Sequence, residues 1–269
     1  MTINYNLVRE KVNNSNLVEQ MSYGNTDYDL VLLDINVYKK HPELLPFIGK
    51  NFGKNEPKIL LVGESHYIAE EQVENNKSVK DDFDKTNWYT NPNIVEESVF
   101  YKCYDYYTTR HIVYNYAVEI VKSGGYNIFT NPLKEYCSIK NKCKEYCSIK
   151  NKCRDNLKAE IHNFAFMNFF QRPAFNFGKT IDYSKDDKDY AIETLDKVIN
   201  CLKPDAVMFL STKAGDLYMG KNKNENSTPK FYKYSHPTCS WWWRETKSTG
   251  EFKTHEKFKN DLSNLLNHK

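Results

Sequence analysis

The stretch Lys58-Ile59-Leu60-Leu61-Val62-Gly63-Glu64-Ser65-His66-Tyr67 carries the strongest indication of the fold. It follows Pro57 as a short apolar run and turns polar after Gly63. A continuous apolar run of this length is typical of a strand buried on both faces of a parallel sheet. We therefore predict a central strand over 58–62. The polar residues after it should lie at the carboxyl end of the sheet, where α/β proteins bind ligands.

Further apolar runs along the chain predict more strands, separated by helical patterns. Strands are predicted at 164–170, 206–210 and 231–234, and helices at 189–202 and 258–266. Ser211 follows one of these strands and is a candidate helix N-cap. Because apolar strands alternate with helices, the sequence predicts an α/β protein with a parallel sheet covered on both faces.

The chain of 269 residues is long enough for one large core. We expect residues 1–56 to form a helical lead-in, with a helix over 38–52, and residues 57–269 to form the α/β domain. The formal net charge of +3 is compatible with a polyanionic partner but does not require one. The sequence shows no apolar leader and no run near about 18 apolar residues, so we expect a cytoplasmic protein with no membrane partner and reduced cysteines.

Four features, in this order, resemble the uracil-DNA glycosylase-like superfamily. They are the strand that ends in Gly63-Glu64-Ser65-His66-Tyr67, Asn168 in a later aromatic strand, the stretch 204–210, and Ser235-His236-Pro237. The resemblance covers 58–243. It implies a three-layer α/β/α fold with a short, mainly parallel central sheet. It also implies a DNA glycosylase-type hydrolase, active in DNA repair, that flips a uracil-like or otherwise modified base out of DNA and cleaves its N-glycosidic bond.

The resemblance assigns roles to individual residues. Glu64 corresponds to the carboxylate that stabilises the sugar cation or orients water, and His236 to the histidine that hydrogen-bonds the departing base. Asn168 corresponds to the amide that reads the base, with Asn163 as a weaker candidate. The remaining substrate-binding candidates are Gly63, Ser65, Tyr67 and Ser235. Since the Asp-Pro and Ser-Pro-Leu of the best-known uracil enzymes are lacking here, the target base stays open.

Family members follow the second motif with a loop that enters DNA, and this chain has Trp241-Trp242-Trp243 there. Aromatic faces stack on bases, so Trp241 and Trp242 are candidate nucleic-acid contacts for duplex or single-stranded DNA, although at least one tryptophan is expected in the core. Basic residues expected to flank the same edge of the sheet are candidate phosphate ligands: Lys213, Lys221, Lys223, Lys230, Lys233 and Arg244.

A ten-residue segment is repeated without change over 134–143 and 144–153. We interpret 134–153 as a solvated insertion rich in lysine and cysteine. Its four thiols, Cys137, Cys143, Cys147 and Cys153, are an alternative zinc or iron–sulfur site, although their spacing matches no established signature. The sequence therefore commits to no cofactor.

Two other functions remain open at this point. The same fold could bind nucleic acid without catalysis, through the tryptophan loop and the lysines near it. Alternatively, Ser65 could be the nucleophile of a serine hydrolase with His236 as its base, although a Gly-x-Ser-x-Gly motif is lacking.

Overall fold

A computed structural model describes eight stretches of the chain. They are residues 23–66, 87–90, 108–114, 127–140, 157–174, 180–220, 228–244 and 253–267. The protein is α/β, with a five-stranded sheet in the order β1-β3-β2-β4-β5. The strands are β1 (Phe47–Ile48), β2 (Ile59–Gly63), β3 (Phe164–Asn168), β4 (Ala206–Phe209) and β5 (Lys230–Lys233). None of the described helices is long and apolar enough to cross a membrane.

The described helices lie between these strands and at both ends of the chain. They are α1 (Asp29–Leu32), α2 (Asn36–Lys40), α3 (Asn87–Thr90), α4 (Thr109–Val113), α5 (Asn127–Ile139), α6 (Lys185–Leu202), α7 (Thr212–Met219) and α8 (Thr254–Asn267). Short 3-10 turns are formed by Pro42–Leu44, Ile161–Asn163 and Ser240–Trp242.

The chain divides into two compact units that interleave in sequence. The first consists of Met1–Phe47, Glu64–Ile112 and Met167–Leu202. The second consists of Ile48–Gly63, Val113–Phe166 and Lys203–Lys269 and therefore holds most of the sheet.

In the second unit, the centre of the sheet is parallel and buried, as predicted. Strand β2 pairs with β4 with Ile59 opposite Ala206, and β4 pairs with β5 with Ala206 opposite Lys230. All residues of β2 and β4 are buried, because both are interior strands of the sheet. The strands predicted at 58–62, 164–170, 206–210 and 231–234 are all confirmed, with small shifts at their ends.

The structure of residues 38–52 is not the single helix that the sequence predicts. Only a short helix forms before His41, and the chain then enters the edge strand β1. Beyond β1, Gly49 N–H donates to the Phe164 carbonyl and Asn51 N–H to the His162 carbonyl, both at 2.9 Å. Since the partner numbers change in opposite directions, this pairing is antiparallel and the sheet is mixed. A Cβ on Gly49 would lie 2.1 Å from the His162 carbonyl oxygen, so the close approach requires glycine.

Helix α6 in the first unit confirms the predicted helix and extends it towards its N-terminus. Ser184 Oγ accepts a hydrogen bond from Asp187 N–H at 3.1 Å, and Asp187 Oδ2 accepts one from Ser184 N–H at 2.9 Å. This reciprocal pair is a capping box, which stabilises the first turn. The predicted apolar face is buried; its residues are Ile192, Leu195, Ile199 and Leu202.

Two helices of the second unit also confirm their predictions. Ser211 Oγ accepts a hydrogen bond from Ala214 N–H at 3.3 Å and so caps α7. Helix α8 buries Phe258, Leu262 and Leu265 and packs against α5. The chain after β5 is tied to α8, because Tyr234 Oη donates to Asp261 Oδ2 at 2.8 Å.

Candidate active site

Glu64, the first residue after β2, is buried and tightly held within the first unit. Its Oε1 accepts a hydrogen bond from Thr180 Oγ1 at 2.5 Å and another from Ile181 N–H at 3.0 Å. The partners lie more than a hundred positions away in sequence. Two donors on one oxygen fix the direction of the carboxylate, while a carboxylate has about four acceptor positions in all. The carboxylate is therefore held by residues from a distant part of the sequence.

The segment from Glu64 to His66 begins with a bend at Glu64 and lies beside the chain that follows β3. The Glu64 carbonyl accepts from Phe170 N–H at 2.9 Å, and the His66 carbonyl accepts from Ala174 N–H at 2.7 Å. These two hydrogen bonds hold the segment against the chain that follows β3.

His66 is buried, with 4% of its surface exposed. Thr109 Oγ1 donates to the Leu44 carbonyl at 3.2 Å and lies 3.2 Å from His66 Nε2. All three groups are satisfied when Thr109 donates to the carbonyl and His66 Nε2 donates to Thr109 Oγ1. Burial lowers the pKa of His66 to about 3, so the ring is neutral at ordinary pH.

Ser65 does not have the surroundings of a nucleophile. Its Oγ is buried and has no hydrogen-bond partner in the described stretches. A serine nucleophile needs a base within hydrogen-bond reach of its hydroxyl. The structure therefore gives no support to the serine hydrolase alternative.

Asn168 ends β3 and is buried, with 6% of its surface exposed. Its carbonyl accepts a hydrogen bond from Gln171 Nε2 at 2.5 Å, whereas no described residue hydrogen-bonds its side-chain amide. Asn163, the weaker candidate, instead donates through Nδ2 to Glu160 Oε2 at 2.7 Å. Of the two asparagines, Asn168 is thus the one whose amide has no hydrogen bond to a described residue.

A buried ion pair supports the donors that hold Glu64. Arg172 Nε and Nη2 bind the two carboxylate oxygens of Asp187 at 2.9 and 3.0 Å, and Nη2 also donates to the Asp182 carbonyl at 2.8 Å. This pair fixes the chain directly after Thr180 and Ile181. No pattern in the sequence indicated these partners or Thr109, although the Ser-x-x-Asp pattern of a capping box is a local signal that this region is ordered.

In the second unit, the motif Ser235-His236-Pro237 follows β5. The side chain of His236 is half-buried. His236 Nδ1 accepts from Thr238 N–H at 3.3 Å and lies 2.6 Å from Thr238 Oγ1. Since Nδ1 acts as an acceptor, the ring proton of the neutral form is on Nε2. Asn131 of α5 donates from Nδ2 to the Pro237 carbonyl at 2.8 Å, which holds this loop on the helix.

The three tryptophans after this motif have different environments. Trp241 and Trp243 expose 55% and 47% of their surface, whereas Trp242 is fully buried and packs on Phe258 at 5.5 Å between ring centroids. The prediction that Trp242 contacts nucleic acid is therefore wrong, because a core side chain presents no face to a ligand. Arg244, directly after the loop, is exposed.

The predicted phosphate ligands differ in their exposure and in their ion pairs. Lys230 and Lys233 are exposed on β5, and Lys233 forms an ion pair with Asp216. Lys213 on α7 is half-buried. Tyr67, Lys221 and Lys223 lie outside the described residues.

The duplicated segment begins inside α5 and is packed there. Tyr136 and Cys137 are buried, and Tyr136 Oη donates to Glu56. The interpretation as a solvated insertion is therefore wrong for these two residues. Cys143, Cys147 and Cys153 lie outside the described residues, so a metal site on the four thiols stays a prediction. Within the described stretches, no three His, Cys, Asp or Glu side chains are close enough to hold a metal ion.

The candidate residues fall into two groups. Glu64, His66 and Asn168 belong to the first unit, and Ser235 and His236 belong to the second. The hydrogen bond between Phe170 and Glu64 brings the end of β3 beside Glu64. No family model, no curated protein and no solved structure matches the chain.

Proposed function

We propose that the chain is a uracil-DNA glycosylase-like hydrolase that cleaves the N-glycosidic bond of a uracil-like or otherwise modified base in DNA. We further propose that the mixed sheet is the centre of a three-layer α/β/α fold of that type. One observation carries the proposal. A buried, oriented carboxylate on Glu64 follows β2 and lies beside the end of β3, where the amide of Asn168 has no hydrogen bond to a described residue.

Glu64 supplies the charge that this reaction needs. As the bond between the sugar and the base breaks, positive charge develops on the sugar ring, and a fixed carboxylate stabilises it without reorganising. The hydrogen bonds from Thr180 and Ile181 hold the carboxylate in one direction before the substrate binds. This preorganisation is the main source of rate enhancement at such sites.

The side-chain amide of Asn168 recognises the base in this proposal. An amide offers one acceptor and two donor hydrogens, which match the alternating groups on the pairing edge of a base. A base reaches such a site only after it has been flipped out of the duplex or when the strand is single. His236 belongs to the second unit, and its role as a donor to the departing base stays a prediction.

A second candidate function is nucleic-acid binding without catalysis. The exposure of Trp241 and Trp243, with the exposed Arg244 beside them, favours it. Exposed aromatic rings next to a cation bind single strands by stacking and by charge. Binding that persists without any base excision would select this function over hydrolysis.

The test is base excision by the purified protein. Oligonucleotides carrying uracil, hypoxanthine or an alkylated base are incubated with the protein and then treated with alkali, which cleaves abasic sites. We expect cleavage of at least one substrate, with a single-turnover rate that Glu64→Gln lowers on the order of 1,000-fold. Glu193→Gln, a change of an exposed carboxylate on α6, is the matched control and should leave the rate unchanged. Absence of excision on every oligonucleotide, or equal rates for Glu64→Gln and the wild type, would overturn the proposal.

A further inference from the structure

The end of α5 is formed by the first copy of the ten-residue repeat and is packed within the second unit. Tyr136 is fully buried, and its ring meets that of Phe164 edge-on at 5.0 Å between centroids. Its Oη donates to Glu56, and Lys140 Nζ lies 2.7 Å from Glu56 Oε1. Cys137, beside Tyr136, is also fully buried. Three side chains of the first copy therefore hold this end of the helix: Tyr136, Cys137 and Lys140.

The second copy, which lies outside the described residues, offers the same three side chains in the same order and at the same spacing: Tyr146, Cys147 and Lys150. Since the two copies are identical at all ten positions, each has the groups that contact Glu56 and Phe164. Side-chain chemistry therefore does not select one copy over the other. The selection depends on the backbone connections, because each copy joins the rest of the chain at a different point.

We propose that this end of α5 has two registers, one with 134–140 in place, as in the structure, and one with 144–150 in the same place. In the second register, the first copy forms a loop between Leu133 and Lys144. The contacts with Glu56 are then made by the second copy. The duplication thus builds a two-state element into the second unit, and anything that binds one register better shifts the population towards it. This inference is independent of the proposed function.

The point where the loop leaves the helix in the second register is suited to an excursion of the chain. Leu133 is buried, but the next residue, Lys134, is exposed, so a loop that begins there reaches solvent without crossing the core. Pro132 has no N–H and therefore already removes one hydrogen bond from this part of α5. A break here costs less than one in an uninterrupted helix. The register in the structure keeps α5 continuous and is therefore the more stable of the two.

Thiol labelling of the full chain distinguishes the two registers, since burial protects a cysteine from an alkylating reagent. Lys140→Glu places a carboxylate opposite Glu56 and disfavours the first register, whereas the second register still has Lys150 for this contact. Lys134→Glu makes the same change of charge at an exposed position of the first copy and is the matched control. Because each substitution removes a trypsin site from the first copy, the peptides of the two copies have different masses.

The labelling rates of two cysteines should change in opposite directions. Compared with Lys134→Glu, Lys140→Glu should label Cys137 faster and Cys147 more slowly, each on the order of 10-fold, because the second copy replaces the first. Simple loosening of α5 would expose Cys137 and leave the rate at Cys147 as it was. An unchanged or faster rate at Cys147 would therefore overturn the proposal.

Thermal unfolding tests the same replacement without a label. Phe129→Ala removes a buried ring of α5 outside the repeat and should lower the Tm by about 10 °C. Tyr136→Ala should lower it by less than about 5 °C, because Tyr146 takes the place of the lost ring. Adding Tyr146→Ala should then lower the Tm further in the Tyr136→Ala background but not in the Phe129→Ala background. If Tyr146→Ala has the same effect in both backgrounds, the copies do not replace each other and the proposal fails.

Discussion

The two segments that carry the predicted motifs are stabilised in different ways. Glu64 and His66 are buried, and their side chains bind residues far away in sequence. His236 is half-buried and binds Thr238, two positions further on. The first segment therefore depends on residues far away in sequence, whereas His236 bonds to a residue close to it and Asn131 holds the loop that follows. Changes to distant partners should thus affect the first segment much more than the second.

The largest expected effect concerns the buried pair of Arg172 and Asp187. Arg172→Leu leaves the Asp187 carboxylate buried and unpaired, which should lower the free energy of unfolding by about 3–5 kcal/mol. Urea denaturation measures this change. Lys197→Ala removes an exposed partner of Glu193 on the same helix and should cost less than about 1 kcal/mol. Similar losses in the two variants would show that the Arg172 pair does not anchor the unit.

The next effect is a pH dependence of stability from His66. Because burial lowers the pKa of His66 to about 3 and an unfolded histidine titrates near 6.5, unfolding takes up a proton at pH values between the two. Stability is then lost as the pH falls below 6.5. The contribution should be about 2 kcal/mol lower at pH 5 than at pH 7. His66→Asn removes the titrating ring, so the difference between its stability curve and that of the wild type isolates the effect. Parallel curves would contradict the burial of a neutral ring.

A smaller effect is expected at the exposed tryptophan of the second segment. Trp241→Ala should weaken binding of single-stranded DNA by about 5- to 100-fold, because one base loses its stacking partner. Trp241→Phe keeps an aromatic face and should retain most of the affinity. Fluorescence anisotropy at low salt measures both variants. The interface is misassigned if Trp241→Ala binds as tightly as Trp241→Phe.

The last pair of variants compares how much a local and a long-range hydrogen bond contribute to the free energy of unfolding. Thr238→Val removes a hydroxyl from a half-exposed contact with His236 and should change the free energy of unfolding by less than about 1 kcal/mol. Thr109→Val leaves the buried Leu44 carbonyl without its donor and should cost about 2 kcal/mol. Thermal unfolding of the two variants side by side measures the difference. A larger loss for Thr238→Val would reverse the comparison.

Local pattern alone predicted much of the secondary structure. The apolar run before Gly63 becomes β2, and the periodic face that includes Leu195 is the buried face of α6. The edge strand β1 was missed, because Phe47 and Ile48 are also compatible with a helix and only the pairing of this segment with β3 decides between the two. The role of Trp242 was misassigned for a similar reason, since nothing in three consecutive tryptophans indicates which ring faces the core.

The sequence by itself determined the α/β class, the parallel centre of the sheet and the placing of Glu64 at the end of a buried strand. These follow from hydrophobic periodicity and strand order, which are local properties of a chain. Only the tertiary structure decided which donors hold Glu64, that His66 is neutral and bonded to Thr109, and that Asn168 is buried at the end of β3. Those properties depend on burial and on hydrogen bonds between residues far apart in sequence. No local pattern encodes such contacts, because they exist only once the chain has packed.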